Sequence, residues 1–195
     1  MPDIGIVVLA AGRGTRFGAS PKLLQSWRGK PLVRHAAEAA LDSGLGPVVA
    51  VLGAHADVVG PALDGLDLAR VTNPAHGDGL STSLQVGLAA LPDQVDAVLV
   101  LLGDMPRITP HHLNQLADAF RRADPAPSAV VPVHAGQRGN PVLLNRRLLA
   151  SALAALQGDQ GAGRLLAGRN DVFELAMDAA VTQDVDTPAG LAALA

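Results

Sequence analysis

Glycines and cations are concentrated in one short stretch near the N-terminus. Residues 8–24 read Val-Leu-Ala-Ala-Gly-Arg-Gly-Thr-Arg-Phe-Gly-Ala-Ser-Pro-Lys-Leu-Leu, and they overlap the end of the apolar run Ile4–Ala10. A buried strand that opens into such a loop can present backbone N–H groups to a polyphosphate, with Arg13, Arg16 and Lys22 as cations. The pattern indicates nucleotide chemistry. A surface turn with solvated charges is the alternative that composition alone leaves open.

This loop fits neither of two standard nucleotide motifs. A P-loop needs four residues between its glycines and then Lys followed by Ser or Thr, whereas Gly12 and Gly18 are separated by five and Lys22 follows Pro21. The dinucleotide fingerprint G-x-G-x-x-G fails because Phe17 stands where its third glycine belongs. What remains is a long loop that can wrap a triphosphate.

Carboxylates at two places in the chain could hold a divalent cation. Asp104 comes just after the apolar run Ala97–Leu102, and Asp186 lies near the C-terminus with Asp184 two residues before it. Magnesium needs only one or two carboxylates beside phosphate oxygens and water, and two residues spaced by two face the same side of an extended segment. The alternatives are a turn aspartate at 104 and a helix cap at 186.

Polar side chains also gather around the start of a predicted helix. Ser81, Thr82 and Ser83 open this helix, and free N–H groups at a helix start suit an anion or a nucleotide ribose. Ordinary N-capping is expected to occupy one of these hydroxyls. The adjacent His111 and His112 lack metal-pair spacing and are interpreted as surface residues.

The elements that must position these groups alternate between short apolar runs and longer helical segments. Strands are predicted at Ile4–Ala10, Val48–Leu52, Ala69–Thr72, Ala97–Leu102, Ala129–Val133, Pro141–Leu144 and Val172–Ala176. Helices are predicted at Pro31–Asp42, His55–Leu63, Ser81–Leu91, Pro110–Ala123, Arg146–Leu156, Gly161–Ala167 and Pro188–Leu194. The apolar runs lack polar alternation, as strands covered on both faces do.

This alternation predicts an α/β fold, with a mostly parallel, mixed sheet between two helical layers. We expect a single three-layer α/β/α domain over residues 1–195. Ligands bind at the carboxyl ends of parallel strands. The loops Gly12–Lys22, Asn73–Ser83 and Gly103–Pro106 follow three of the strands, so they should share one edge of the sheet.

Composition narrows the class of protein. Hydrophobic residues make up 49% of the 195 residues, which is enough for a substantial core, while aromatics are 2% and the net charge is -3. A chain with so little basic surface is not expected to bind nucleic acid. It contains no cysteine, so disulfides and zinc–thiolate sites are excluded. No run approaches the roughly 20 apolar residues of a membrane span, and we expect a cytoplasmic protein with no membrane partner.

Six blocks stand out along the chain. The first is Leu9–Gly18 followed by Pro21-Lys22. The others are Asn73-Pro74 with Gly79–Leu84, Gly103–Pro106, Gln137–Leu143, Gly158–Ala162 and Asp184–Pro188. In this order they resemble the molybdenum cofactor cytidylyltransferase family, within the nucleotidyltransferases of the molybdopterin and sugar-nucleotide type. The resemblance implies a Rossmann-like nucleotidyltransferase fold.

The resemblance implies roles for individual residues. It implies nucleotide binding by Leu9, Ala10, Ala11, Gly12, Arg13, Gly14, Lys22, Asn73, Ser81 and Ser83, and acceptor binding by Arg138, Gly139 and Asn140. Lys22, Arg13 and Asp104 would carry the chemistry, and Asp104 and Asp186 would hold Mg²⁺, or Mn²⁺ in its place. Asp159 is interpreted as structural or acceptor-side. The family more often has histidine at position 140, which puts any role that needs an imidazole there in doubt.

The implied reaction is transfer of CMP from CTP to molybdenum cofactor, with a molybdoenzyme or its maturation factor as a further partner. Guanylyltransferase relatives tend to carry Leu-Ala-Gly-Gly and Pro-Cys-Asp, whereas this chain has Leu-Ala-Ala-Gly and Leu-Gly-Asp. The methyl group of Ala11 would narrow the base pocket. Three alternatives remain open: transfer of another nucleotide or to a sugar phosphate, a flavin- or nicotinamide-dependent reductase, and a non-catalytic carrier of the cofactor.

Overall fold

Strands and helices follow one another in the order that the apolar runs predict. The computed structural model describes residues 1–14, 17 and 20–194. Its strands are β1 (Ile4–Ala10), β2 (Ser26–Trp27), β3 (Lys30–Pro31), β4 (Val48–Leu52), β5 (Ala69–Thr72), β6 (Ala97–Leu102), β7 (Ala129–His134), β8 (Gln137–Arg138), β9 (Val142–Asn145) and β10 (Val172–Ala176). Its helices are α1 (Leu32–Asp42), α2 (Ala56–Val59), α3 (Leu80–Ala90), α4 (Pro110–Arg122), α5 (Ala150–Ala154), α6 (Ala162–Leu165) and α7 (Pro188–Ala192).

Two helices fall furthest short of the length that the sequence pattern predicts, and each has a local cause. The segment expected as one helix over His55–Leu63 is α2 followed by a 3₁₀ turn, Pro61–Leu63, because Pro61 has no N–H with which to continue the helix. The segment expected from Arg146 becomes helical only at Ala150. The side-chain oxygen of Asn145 accepts a hydrogen bond from the N–H of Leu148 and holds the intervening residues in a turn.

Eight strands form one mixed sheet in the order β10-β7-β9-β6-β1-β4-β5, with β8 paired to β7. β1 is parallel to both β4 and β6, and β5 is parallel to β4. β9 runs antiparallel to its neighbours β6 and β7. The chain builds outward from β1 through β4 to β5, then returns to place β6 on the other side of β1. The C-terminal ends of β1 and β6 therefore flank the point where the strand order reverses, which is where open α/β sheets bind ligands.

Successive side chains of β1 enter two different cores. Ile4, Ile6 and Val8 belong to the core shared with α1, α2 and α4, while Val7 and Leu9 belong to the core shared with α3, α5 and α6. Every residue of β1 is buried, which explains why its sequence shows no polar alternation. The predicted layers of helix, sheet and helix are confirmed. Within the described residues, no helix combines the length and apolarity needed to cross a bilayer.

The start of α4 corrects one expectation about the histidines. His111 is exposed, as predicted, but His112 is 7% exposed and belongs to a capping box with Thr109. Its Nδ1 accepts a hydrogen bond from the Thr109 N–H at 3.0 Å, so Nε2 carries the proton toward Asp178 Oδ2 at 3.1 Å. The interpretation of His112 as a surface residue is wrong, because its ring connects α4 to the segment that leads to the C-terminal aspartates.

Candidate active site

A cavity of about 390 Å³ opens at the C-terminal ends of β1 and β6. Three loops that were expected to share this edge of the sheet contribute to it. Its lining comprises Leu9, Ala11, Gly12, Arg13, Gly14, Lys22, Leu23, His76, Gly77, Gly79, Leu80, Ser83, Leu102, Asp104 and Asp159. Of the residues expected to bind nucleotide, Ala10, Asn73 and Ser81 do not line it. The described residues do not include Thr15, Arg16, Gly18 and Ala19. The expectation that Arg16 acts as a cation toward a polyphosphate therefore lies outside the part of the chain that the structure describes.

Gly14, in the loop after β1, lies close to Lys22. Gly14 has a φ of +57°, and a Cβ built there would lie 2.8 Å from the Cβ of Lys22. Lys22 begins a 3₁₀ turn whose next residue, Leu23, is buried in the core. The burial of Leu23 anchors the turn, and this places the Lys22 side chain in the cavity.

Lys22 connects the N-terminal loop to carboxylates from two distant parts of the chain. Its Nζ lies 2.5 Å from Asp104 Oδ2 and 3.2 Å from Asp186 Oδ1. The side chains of Lys22 and Asp104 are only 15% and 16% exposed. The structure thus brings together Lys22, Asp104 and Asp186, which the sequence analysis had singled out separately.

Three carboxylates converge at this point. One oxygen each from Asp104, Asp184 and Asp186 lies within 4.8 Å of the others. The grouping depends on Val185, which is buried and donates its N–H to the backbone oxygen of Asp104 at 3.0 Å. Because Val185 points inward, the residues on either side of it both present their carboxylates to Asp104. Oxygen ligands in such a group suit a hard divalent cation, so these residues fit the expected metal.

The pKa values of this cluster reflect burial and mutual charge. Burial raises the pKa of Asp104 above its usual range; the Lys22 ammonium opposes this shift, and the Asp184 carboxylate adds to it. Burial alone would lower the pKa of Lys22, but the charge and hydrogen bond of Asp104, with smaller contributions from Asp186, outweigh it and hold that pKa above its usual range. Lys22 therefore stays cationic and partly neutralises the three carboxylates.

The start of α3 presents a hydroxyl to the cavity. Asn73 is buried, and its Nδ2 donates to Thr82 Oγ1 and to Ser83 Oγ, each at 2.9 Å. Thr82 in turn lies within hydrogen-bond distance of the carbonyl oxygens of Ala75 and Gly79. Among the described residues no side chain caps the helix, so the expectation that one hydroxyl would do so is wrong. Asn73 instead orients Ser83, which lines the cavity.

A further loop, residues 158–161, borders the cavity beside α3. The N–H of Ser81 donates to the carbonyl oxygen of Gly158 at 3.1 Å. Gly79 has a φ of +111° and a ψ of 174°, a combination that essentially only glycine adopts. A Cβ built on Gly79 would overlap the carbonyl group of Gly158 and lie 2.6 Å from the N atom of Asp159. Glycine at 79 thus permits both the turn into α3 and the close approach of the two loops.

Replacing Gly79 with alanine should separate these loops. We expect Gly79→Ala to lower the free energy of unfolding by about 3 kcal/mol, because strained backbone and overlap with Gly158 act together. Urea titration would measure the loss. Gly65→Ala is the matched control, since Gly65 also has a positive φ, +80°, but no described atom lies within 4 Å of a Cβ built there. An equal loss in both variants would show that backbone strain alone is responsible.

The residues predicted to bind the acceptor line a separate, smaller cavity. Arg138, Gly139 and Asn140 border a space of about 140 Å³ with Val131, Val142, Gly163 and Leu166. They precede β9, whose antiparallel direction places its start at the same sheet edge as the larger cavity. Arg138 pairs with Glu174 at 2.7 Å, and the N–H of Asn140 donates to the Val181 carbonyl oxygen. Their role toward an acceptor stays a prediction.

Two polar residues of the larger cavity were missed or placed elsewhere by sequence reasoning. His76 lines the cavity with Nδ1 buried and without a hydrogen-bond partner among the described residues. It lies in the loop between Asn73 and Ser83, and that position was the only signal in the sequence. Asp159 also lines the cavity; nothing in the spacing of Gly-Asp-Gln-Gly shows that its loop folds against α3.

The glycine loop, the carboxylate cluster and the reversal of strand order together define a nucleotide-binding α/β protein of the nucleotidyltransferase class. A family model described as the MobA-like NTP transferase domain matches residues 6–174. The chain belongs to this family. The family-level resemblance drawn from the sequence blocks is thereby confirmed.

Similar proteins have more than one described activity. Rv0371c from Mycobacterium tuberculosis is 33% identical, with a TM-score of 0.83 over 98% of this chain and 97% of that one, and a solved complex of it contains manganese. Nicotine blue oxidoreductase of Paenarthrobacter nicotinovorans is 31% identical over 96% of this chain and 94% of that protein. Bifunctional protein GlmU of Sorangium cellulosum is 36% identical over 132 residues, and the match spans only 28% of GlmU.

Proposed function

We propose that this protein transfers CMP from CTP to the terminal phosphate of molybdenum cofactor and releases pyrophosphate. The observation that carries the proposal is the meeting of Lys22 with Asp104 and Asp186 in a cavity lined by the glycine loop. A cation and a carboxylate cluster beside a glycine-containing loop suit the handling of a triphosphate. The product would then pass to a molybdoenzyme or its maturation factor.

The step itself needs no deprotonating residue. The acceptor phosphate has a second ionisation near pH 6, so it is already a nucleophile at neutral pH. One of its oxygens attacks the α-phosphorus of CTP and forms a new P–O bond. The bond between the α-phosphorus and the bridging oxygen breaks, and pyrophosphate leaves with the electron pair. The protein must hold the acceptor phosphate and CTP together and stabilise the negative charge that develops on the leaving pyrophosphate.

Chain residues supply this stabilisation from two sides. Gly12, Arg13 and Gly14 line the cavity from the loop after β1, where their backbone N–H groups would bind phosphate oxygens, while Lys22 contacts the carboxylates. Asp104, Asp184 and Asp186 would hold Mg²⁺, or Mn²⁺ in its place. When bound, such an ion neutralises phosphate charge and orients the leaving oxygens. The manganese complex of Rv0371c supports a divalent cation in a protein of similar fold and sequence.

The choice of CTP is supported by the residue at position 11. Ala11 is buried and lines the cavity, and its methyl group would narrow the base pocket relative to glycine. Leu-Ala-Ala-Gly and Leu-Gly-Asp, at positions 9–12 and 102–104, are also the forms that cytidylyltransferases of this type carry. We therefore propose CTP over GTP.

A nucleotide panel tests the proposal. Purified protein with Mg²⁺ should show a larger rise in melting temperature with CTP than with GTP, UTP or ATP, because a ligand that binds the native state stabilises it. With molybdenum cofactor added, CTP should yield pyrophosphate and a product heavier by one CMP. Guanylyl or sugar-phosphate transfer would appear as pyrophosphate release with a different nucleotide or acceptor. CTP binding without pyrophosphate release would favour a non-catalytic carrier.

A reductase is the second candidate, favoured by the likeness to nicotine blue oxidoreductase over nearly the full length of both proteins. The failed spacing of G-x-G-x-x-G counts against a standard dinucleotide site. Absorbance measurements decide the matter: oxidation of NADH or NADPH, or flavin absorbance of the purified protein, without pyrophosphate release from CTP would replace the transferase proposal.

A further inference from the structure

We propose that Asp159 determines the base specificity of the cavity by accepting a hydrogen bond from the exocyclic amino group of the nucleotide. This inference rests on the proposed nucleotide substrate. Asp159 lines the cavity beside Gly79, Leu80 and Ser83. No described residue forms a hydrogen bond or an ion pair with its carboxylate, so its acceptor capacity is available to a ligand.

The backbone that carries Asp159 is fixed to the start of α3, while the Asp159 side chain itself is exposed. The Gly158 carbonyl oxygen accepts the N–H of Ser81, and Gly79 packs directly against Gly158. The Nε2 of Gln85 on α3 lies 3.2 Å from each of three carbonyl oxygens at the end of the preceding helical segment, those of Leu153, Ala154 and Leu156. The loop and the segment that leads into it are therefore both fixed to α3.

Charge decides which part of a nucleotide this carboxylate can face. A triphosphate is repelled by an uncompensated carboxylate, and the cationic and amide groups suited to phosphates belong to the loop of Arg13, Gly14 and Lys22. The nucleoside must therefore face Asp159. Leu9, Leu80 and Leu102 supply apolar walls of the same cavity, as a flat ring requires.

The free hydrogen-bonding capacity of Ser83 and Asp159 matches the edge of a cytosine ring. Ser83 Oγ accepts from Asn73 Nδ2, and no described residue accepts the Ser83 proton, so this hydroxyl can donate into the cavity. Ser83 and Asp159 thus offer one donor and one acceptor to a ring edge. Cytosine presents ring acceptors beside an amino donor, whereas uracil presents an oxygen where cytosine has its amino group. A carboxylate would attract the first and repel the second.

Nucleotide binding by variants at position 159 tests this assignment. Calorimetry with CTP and UTP in the presence of Mg²⁺ should show that Asp159→Ala weakens CTP binding by about tenfold or more and does not weaken UTP binding, because the repulsion of uracil is lost with the carboxylate. Asp159→Asn is nearly isosteric and can present either an N–H or an oxygen, so it should bind UTP about as well as CTP. Asp93→Ala is the control for charge, because Asp93 is exposed and does not line the cavity.

The outcomes separate this inference from the proposed function. A wild-type preference for CTP that survives unchanged in Asp159→Ala and Asp159→Asn would overturn the role of Asp159 and leave CTP as substrate. The role of Asp159 would also be overturned if the two variants no longer distinguished CTP from 2′-deoxy-CTP but still preferred CTP over UTP. That result would assign the carboxylate to the ribose. A wild-type preference for GTP or NADPH would overturn the proposed function and this inference with it. Melting temperatures of the ligand-free variants establish that each is folded.

Discussion

Asp104→Asn should lower kcat by about 10²–10³, the usual loss when one preorganised electrostatic contact to a reacting group is removed. Asp104 is the buried member of the carboxylate cluster, contacts Lys22 directly, and holds Val185 through its backbone. The substitution removes only the charge, because asparagine preserves the shape and the backbone contact. Steady-state kinetics with saturating CTP and a Mg²⁺ titration would measure both the rate and the metal requirement.

Stability should respond in a different way from activity. Since burial raises the pKa of Asp104, its ionised form is disfavoured in the fold, and a neutral asparagine should leave the melting temperature of the ligand-free protein close to that of the wild type. Asp118→Asn, on the exposed face of α4, serves as the control for amide substitution. A variant of Asp104 with near-normal turnover and an unchanged Mg²⁺ titration would remove this residue from the mechanism.

Lys22→Met should produce opposite effects on turnover and on metal binding. Turnover should fall by about 10²–10³, because a fixed cation beside the triphosphate is lost. Metal affinity should rise by about tenfold, a coupling of ordinary size between two ligands that share a site. The reason is that Lys22 Nζ lies against Asp104 and Asp186, two of the carboxylates that would hold the ion, so ammonium and metal compete for the same oxygens.

Manganese binding followed by electron paramagnetic resonance, without nucleotide, measures this competition directly. The methionine variant should also melt at a lower temperature than the wild type in chelator, because three carboxylates then repel one another, and should recover when Mn²⁺ is added. Lys30→Met is the control, since Lys30 is the other lysine of the chain and pairs with Glu38 on the surface. Weaker manganese binding in the Lys22 variant would mean that the ammonium helps to hold the ion.

Much of the fold could be predicted because its local signals agree with one another. The apolar runs predict every strand of the main sheet except the two-residue β8, with ends correct to within one residue, since a strand buried on both faces carries an uninterrupted signal. The pairs Thr109-Pro110 and Thr187-Pro188 have the residue types of a helix start, and both threonines cap their helices, α4 and α7. The short strands β2, β3 and β8 were not predicted, because two residues carry no periodicity.

Contacts between segments that are distant in the chain were harder to predict from the sequence. His112 looked like one of a pair of surface residues, and its burial depends on Asp178, which lies 66 residues away. Asp184 was expected only to share a side with Asp186; its approach to Asp104 depends on the burial of Val185. Asp159 lines the cavity because glycine at 79 allows the start of α3 to approach the backbone of Gly158 and Asp159.

The sequence by itself determined the class of this protein: a strand that opens into a glycine loop with Lys22, an alternation of strands and helices, and aspartates at 104 and 186. These features are local, and residue type and spacing are enough to recognise them. Only the tertiary structure decided that Lys22 lies between those aspartates, that Asn73 acts through Ser83, and that Asp159 lies beside them in the cavity wall. Such contacts join residues tens to more than a hundred positions apart, and packing rather than spacing brings them together.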